Sequence, residues 1–127
     1  MLRERVVIVR HFPETFVGRK RKYFFNEIKA CLNVDRACLV LECSRLVQMD
    51  KQIVLLLLGC LEEAMKRNGD VRLAAVSPQG KAALKITGTD ILFRFFETAD
   101  DAIASFQRRA IIFSPQDTTE RANKPAA

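Results

Sequence analysis

The chain has 127 residues, of which 49% are hydrophobic and 28% charged, and its formal net charge is +6. That length predicts one domain with a single core, and the composition is ordinary for a globular protein. The longest apolar run, residues 53–61, falls far short of the ~20 residues that span a bilayer, and residues 1–5 lack the apolar core of a secretory signal. We therefore predict a cytoplasmic protein without a membrane span.

The four cysteines, Cys31, Cys38, Cys43 and Cys60, lie in or beside predicted apolar elements, and no two of them form a Cys-x-x-Cys pair. This pattern predicts reduced core thiols in a reducing compartment. A zinc site or a cysteine nucleophile would have to recruit His11, the only histidine, and no spacing supports either arrangement. We predict neither a metal site nor a cofactor.

The first quarter of the chain predicts a hairpin and then a helix. The β-branched run at residues 5–11 indicates a strand, and a proline-containing turn follows it at residues 12–15. Residues 15–17 are long enough for a short strand that returns antiparallel to the first. A helix with an apolar period of 3.6 residues comes next, and it has one buried stripe. The stripe consists of Phe24, Phe25, Ile28, Cys31 and Leu32.

The centre of the sequence predicts a buried strand followed by a long helix. Residues 37–43 have the continuous leucine and valine character of a strand that is buried on both faces. Asp50 stands at the N-cap position of a helix over residues 51–68, where its carboxylate would accept backbone hydrogen bonds worth ~1 kcal/mol. Asn68 and Gly69 predict a left-handed cap at the end of that helix.

The first half of this helix has no polar face. Residues 54–58 are apolar around the whole circumference, so at least one of Ile53, Val54 and Leu57 should not face the sheet. An exposed apolar patch there would mark a protein contact. The alternative is that a loop, or the apolar segment at residues 110–113, covers it.

A second strand and a short helix follow the long helix. Residues 71–76 form a short apolar run, and the long connection between the two strands predicts parallel pairing with a right-handed crossover. Ser77-Pro78 ends this strand and begins a short helix over residues 79–87, which Gly88 terminates.

The remaining elements complete the predicted fold. Residues 91–96 are strand-like, Thr98 is positioned to cap a closing helix from Asp100 to about Arg109, and the sequence from residue 114 onward predicts a flexible tail. Together the elements predict an α/β fold, with a mixed, mostly parallel sheet of four or five strands packed with about four helices.

The order and spacing of these elements resemble the STAS domain, the domain of bacterial anti-sigma factor antagonists. The similarity extends over about residues 4–108, and the long apolar helix lies between its second and third segments. The segments that carry it are Leu39–Ser44, Val47–Asp50, Val71–Val76, Ser77–Pro78, Gly88–Phe93 and Phe96–Ile103. The resemblance implies a STAS-like domain at residues 1–110 and a mostly flexible tail at residues 111–127.

The resemblance also implies a regulatory site at the start of the long helix. The family signature there is Asp-Ser-Ser/Thr-Gly-Leu-Gly, and phosphorylation of its second hydroxyl residue releases the partner. In this sequence Asp50 is kept, but Lys51 and Gln52 stand at the hydroxyl positions, and Ile53 and Leu55 stand at the glycines. The Gly-Glu-Leu-Asp turn usual near the first hairpin is also missing.

These departures remove the chemistry of the switch. Phosphoryl transfer needs a hydroxyl on the acceptor, and neither an ammonium nor a carboxamide supplies an oxygen nucleophile. A phosphoserine would add nearly two negative charges, whereas Lys51 adds one positive charge and Gln52 adds none. The site is therefore expected to be fixed in a form close to the unphosphorylated, partner-binding state.

We accordingly predict a non-catalytic protein-interaction module in bacterial signal transduction and transcription regulation. The resemblance implies a regulatory protein as its partner, an anti-sigma factor or a serine kinase-like protein, and a homodimer through the apolar helix is left open. The predicted contact surface consists of Asp50, Lys51, Gln52, Ile53, Ser77 and Pro78.

The alternative function is binding of an anion or a nucleic acid. It depends on the net charge and on four consecutive cations beside aromatic residues. These cations are Arg19, Lys20, Arg21 and Lys22, and they define the basic cluster. The neighbouring phenylalanines fit a buried helix stripe better than a stacking platform, so nucleic acid is the less favoured partner.

An enzyme is not predicted. The sequence has no glycine-rich phosphate loop, no paired histidines and no nucleophile elbow. Nucleotide binding is left open, although no residue argues for it.

Overall fold

The computed structural model describes residues 5–106 and 110–113, in which strands and helices alternate along the chain. A 3₁₀ turn at Asp90–Leu92 precedes the fourth strand. The strands are β1 (Arg5–His11), β2 (Cys38–Glu42), β3 (Asp70–Ala74), β4 (Arg94–Phe96) and β5 (Ala110–Phe113). The helices are α1 (Lys20–Cys31), α2 (Lys51–Met65), α3 (Pro78–Ile86) and α4 (Ala99–Ala104).

The five described strands form one sheet in the order β4-β3-β2-β1-β5, and every described pair is parallel. From β1 to β4 the chain moves stepwise in one direction, and it then returns to the other side of β1 to add β5. Because crossovers between parallel strands are right-handed, this path places α1, α2 and α3 on one face and α4 on the other. The predicted α/β fold, with a largely parallel sheet and four helices, is confirmed.

Two hydrophobic cores lie on the two faces of the sheet. Ile8, Leu39 and Leu41 point into the larger core, under α1, α2 and α3. Val7 and Val40 point the other way, into the smaller core that α4 covers. Neighbouring residues of β1 and β2 therefore alternate between two apolar layers, which is why leucine, isoleucine and valine dominate the middle of both strands. The prediction that the strand at residues 37–43 is buried on both faces is confirmed by β2.

The predicted first hairpin is wrong. Residues 12–19 contain no strand and lead directly into α1. A returning strand needs a free edge on β1, and β1 has none, since β2 pairs with one edge and β5 with the other. The strand that completes the sheet beside β1 is instead residues 110–113, the apolar segment whose partner could not be predicted.

The later elements follow the predictions with shifted boundaries. The strand-like run at residues 91–96 divides into the 3₁₀ turn and the shorter β4. Thr98 caps α4 by accepting a hydrogen bond from the backbone N–H of Asp101 at 3.1 Å, as predicted, but the helix ends at Ala104. The predicted helix end at Arg109 and the tail from residue 114 lie outside the described residues. The division into a domain and a tail stays a prediction, and the sheet continues to Phe113.

A close backbone approach joins the end of α2 to the start of β2. Asn68 takes the left-handed conformation, with a φ of 61°, and the N–H of Gly69 donates to the carbonyl of Ala64 at 2.8 Å. A Cβ on Gly69 would lie 1.8 Å from the carbonyl oxygen of Ala37. No side chain fits this position, because the group it would meet is backbone at the start of a buried strand.

We expect Gly69→Ala to lower the free energy of unfolding by about 3 kcal/mol, the upper end of the range for overpacking. Urea denaturation followed by circular dichroism measures it. The matched control is Gly88→Ala, where φ is 76° and nothing lies within 4 Å of the added Cβ. That variant should lose only about 1 kcal/mol, from the left-handed backbone alone. Equal losses in the two variants would contradict the steric argument.

Candidate functional site

The start of α2 has the geometry that the sequence predicts. Asp50 is the N-cap, and its carboxylate accepts a hydrogen bond from the backbone N–H of Ile53 at 3.0 Å. Its carbonyl accepts from the N–H of Val54, also at 3.0 Å. Lys51 and Gln52 occupy the first turn, and both side chains are exposed. The two residues at the family's hydroxyl positions therefore face outward at the beginning of a helix.

Ile53 lies beneath this surface. The sequence predicted it as part of the contact surface and left open whether at least one of Ile53, Val54 and Leu57 is exposed or is covered by another segment, and all three are buried. The alternative of cover applies, because α2 packs on the sheet between its neighbouring helices, and Met49 from the preceding loop packs against the same core. The exposed apolar side chain near the start of the helix is Leu55, at 52%.

The starts of α2 and α3 line one cavity of about 400 Å³. Asp50 contributes from α2 and Ser77 from α3, so the structure brings these two predicted site residues together. Ser77 caps α3, its Oγ accepting from the N–H of Gly80 at 2.9 Å, and Pro78 is exposed at the first helical position. Gly80 lets the start of α3 lie close to the side chain of Val76, since a Cβ on Gly80 would lie 2.9 Å from Val76 Cγ1.

The hydroxyl of Ser44, the other serine near this site, is engaged by a neighbouring carboxylate. Ser44 Oγ donates to Glu42 Oε1 at 2.8 Å, and the backbone N–H of Ser44 donates to the same oxygen at 3.1 Å. His11 Nδ1 lies 3.5 Å from that oxygen as well. Glu42 thus organises the turn that leaves the end of β2.

The basic cluster adjoins the start of α2. Arg19 is the N-cap of α1 without a side-chain hydrogen bond, the other three cations form the first helical turn, and all four are exposed. A smaller cavity of about 250 Å³ is lined by Arg21 together with Asp50 and Gln52. The basic cluster and the start of α2 were predicted as separate sites, whereas in the structure they lie at one surface.

Two apolar residues at this surface were missed by the sequence reasoning. Val47, in the loop before α2, is 63% exposed and lines the larger cavity. Leu55 shares a helix face with Lys51 and Gln52, because residues three and four apart are neighbours on a helix. That spacing was the available signal for Leu55, and nothing in the sequence distinguished Val47 from a buried loop residue.

Burial keeps the cysteine beside the larger cavity neutral. Removal of Cys43 from water raises its pKa from 9.0 to about 12, and the charge of Glu42 adds to the shift. The pKa of Cys60 in α2 is likewise raised to about 12 by burial, with a contribution from Glu63. All four cysteines are free thiols. At neutral pH neither Cys43 nor Cys60 supplies a thiolate nucleophile.

Within residues 5–106 and 110–113, no group of three or more histidine, cysteine, aspartate or glutamate side chains could hold a metal ion. None of the helices in that part of the chain is both long and apolar enough to cross a membrane.

The fold and the helix start define the class of protein, an α/β domain built on one parallel sheet, and comparison identifies its family. The family model of the STAS domain matches residues 3–102. The chain therefore belongs to the STAS domain family, as the resemblance implied.

A solved structure has the same fold. It is that of an anti-sigma-factor antagonist (STAS) domain protein from Planctomyces limnophilus, with a TM-score of 0.68 and 16% sequence identity. The alignment covers 76% of this chain and 87% of that one. A search of curated proteins found no match.

The raised cysteine pKa values predict a loss of stability at high pH. Each thiol has a pKa near 12 in the folded protein and near 9 in the unfolded chain. Its contribution to the free energy of unfolding is therefore complete below pH 9. Between these values the unfolded chain releases the proton first, so the free energy of unfolding falls by up to about 1.4 kcal/mol per pH unit for each thiol. Urea titrations at a series of pH values measure this slope.

Cys43→Ala isolates one thiol in this experiment. It should make the slope above pH 9 shallower, whatever its effect on stability at neutral pH. Cys31→Ala leaves Cys43 and Cys60 in place and should retain the wild-type slope. An unchanged slope in Cys43→Ala would show that the thiol does not govern this pH range.

Proposed function

We propose that this protein is a non-catalytic interaction module that binds a regulatory protein through the starts of α2 and α3. The observation that carries the proposal is the exposed pair Lys51 and Gln52, at the position where the family has its hydroxyl residues. Asp50 and Ser77 line the cavity beside this pair. The proposed contact surface consists of Asp50, Lys51, Gln52, Ser77 and Pro78, with Ile53 supporting it from below.

The proposed partner is an anti-sigma factor or a serine kinase-like protein, in bacterial signal transduction and transcription regulation in the cytoplasm. The name of the Planctomyces limnophilus protein supports this class of partner. We do not propose a homodimer through the apolar residues of α2, because the long run that suggested it is largely buried in the protein's own core. Its buried members are Ile53, Val54, Leu56, Leu57, Cys60 and Leu61.

We further propose that partner binding is not switched by phosphorylation at the usual position. Lys51 and Gln52 have no hydroxyl, and the nearby hydroxyl of Ser44 is hydrogen-bonded to Glu42. A positive charge at Lys51 gives the surface the opposite sign from a phosphorylated serine. The site would therefore remain in a partner-binding form.

Nucleic-acid binding is not the function that the geometry supports best. Of the three aromatic residues beside the basic cluster, Phe24 is buried, Phe25 is half-buried and Tyr23 is 59% exposed. The rings of Phe12, Phe16 and Phe24 pack against one another, with centroids 5.1 to 5.9 Å apart. Phe24 and Phe25 are thus covered by the protein's own packing and provide no platform on which bases could stack.

Partner capture tests the proposed surface. The tagged full chain, incubated with lysate of its native cell, should recover a protein of the histidine-kinase-like ATPase fold. The double variant Lys51→Glu, Gln52→Glu should reduce that recovery at least about tenfold, because it makes the helix start acidic and places negative charge where relatives receive phosphate. Quantitative mass spectrometry of the recovered proteins measures the effect.

The matched control for capture is Lys85→Glu, an exposed lysine at the far end of α3. It reverses one lysine charge, as Lys51→Glu does, but away from the proposed surface, and it should capture as well as the wild type. Undiminished capture by the Lys51→Glu, Gln52→Glu variant would sink the proposed contact surface.

Phosphorylation is tested on the captured complex. After incubation with ATP, residues 44–56 should carry no phosphate, because the family's acceptor positions lack an oxygen nucleophile. Peptide mass spectrometry measures this, and Gln52→Ser, which restores the hydroxyl, is the positive control for a competent kinase. Phosphate on wild-type Ser44 or Ser77, accompanied by loss of the partner, would overturn the fixed state.

A further inference from the structure

A second surface, the α1–α2 groove, lies beside the proposed contact surface. It is a cleft of about 240 Å³ between the two helices. Its lining residues are Arg21, Lys22, Phe25, Gln52, Leu55, Leu56 and Gly59. The middle of the groove is apolar and one end is basic, so its chemistry differs from that of the cavity between α2 and α3.

Close packing of the two helices creates the apolar floor. A Cβ on Gly59 would lie 3.2 Å from the ring of Phe25, so this glycine lets the ring lie directly on α2. Leu56 is buried beneath, and Leu55 stands beside the groove with 52% of its surface exposed. The floor therefore offers a half-buried ring and an exposed leucine to an apolar side chain from another molecule.

The basic end is lined and flanked by cations. Arg21 and Lys22 line the groove, and the adjacent Arg19 and Lys20 are also exposed. The first turn of α1 contains no acidic residue, and a helix N-terminus itself carries partial positive charge. Farther along α1, Lys29 Nζ lies 5.5 Å from the centroid of the Phe25 ring and extends the positive side of the groove.

The acidic side chain of α1 gives little compensation. Glu27 forms an ion pair with Arg10, with Arg10 Nη2 and Glu27 Oε1 2.8 Å apart. Arg10 is buried, so Glu27 compensates a cation of the interior. The cations at the start of α1 therefore favour an acidic ligand.

We propose that the α1–α2 groove binds an acidic amphipathic helix of a partner protein. Apolar side chains of that helix would pack on Phe25 and Leu55, and its carboxylates would pair with Arg21 and Lys22. Recognition of an amphipathic helix by an apolar groove with a charged rim is an established mode of binding. The inference rests on the proposed function and adds the chemistry of the partner's segment.

Charge complementarity selects this occupant over the alternatives. A second copy of this chain, which also carries a net charge of +6, would bring like charges together. A nucleic acid would pair with the cations and leave the leucine and phenylalanine floor in water. An anionic membrane also combines acidic groups with apolar ones, but it cannot enter a concave groove between two helices.

Two designed peptides of about 18 residues test the proposal, a length at which helices become stable in water. The acidic peptide carries a leucine stripe flanked by glutamates, and its twin has lysine at every glutamate position. By fluorescence anisotropy, the full chain should bind the acidic peptide at least about tenfold more tightly than the twin. Raising the salt concentration should weaken binding of the acidic peptide, because screening reduces the attraction between exposed charges.

Two single variants locate the binding. Leu55→Glu should weaken binding of the acidic peptide at least about tenfold, because it places a like charge on the floor of the groove. Lys22→Glu should weaken binding to the same extent at the rim. The matched controls are Ile86→Glu and Lys85→Glu on α3, where both side chains are exposed. Both controls should bind the peptide as the wild type does, and circular dichroism should show all four variants folded.

Three results would overturn the proposal. Equal binding of the two peptides would show that charge complementarity does not govern binding. Undiminished binding by Leu55→Glu or Lys22→Glu would show that the peptide binds outside the groove. Binding to vesicles of anionic lipid that Leu55→Glu abolishes, with no binding of the acidic peptide, would make the surface a membrane contact. The proposed function fails separately: it fails if Lys51→Glu, Gln52→Glu leaves partner capture unchanged, whatever the peptides do.

Discussion

Burial of β1 and β2 on both faces, with pairing on both edges, is the constraint on which the rest of the structure depends. Within the described sheet, β1 lies between β2 and β5, and its side chains alternate between the two cores. Such a strand cannot face water, so helices must cover both sides of the sheet. The stepwise path from β1 to β4 then puts α1, α2 and α3 on one face, with α2 in the middle. A helix in that position exposes its start and one narrow stripe, and these are the parts of α2 that line the cavities.

The position of the site follows from the same parallel topology. The carboxyl ends of neighbouring parallel strands lie at one edge of the sheet, so the loops that leave β2 and β3 emerge side by side. The N–H of Cys43 donates to the carbonyl of Ala74 at 2.9 Å, which ties the two exits together. Each loop ends in a capping residue, Asp50 for α2 and Ser77 for α3, and the two helix starts meet over a shared cavity. A molecule bound at one helix start is therefore within reach of the other.

Local signals could be read from the sequence, and long-range ones could not. The caps at Asp50 and Thr98 are visible because a capping side chain bonds to backbone two or three residues away. The first hairpin was mispredicted because the turn signal at Pro13 is local, whereas the two edges of β1 are filled by β2 and by residues 110–113. Leu55 had a local signal in its helical spacing from Lys51 and Gln52, but the placement of α2 between other helices decides which of its apolar residues are covered.

The loss of the hydroxyls and the presence of the basic cluster have one electrostatic consequence. In relatives, phosphorylation at the start of the central helix makes the surface negative and releases the partner. Here Lys51 makes that start positive, and Arg21 lines a cavity with Gln52. An acidic partner would then be attracted whatever the activity of any kinase, and the attraction would vary with ionic strength rather than with ATP. Under the proposed function, control of such a complex would come from the amount or the conformation of the partner, because neither Lys51 nor Gln52 carries a hydroxyl that could accept phosphate.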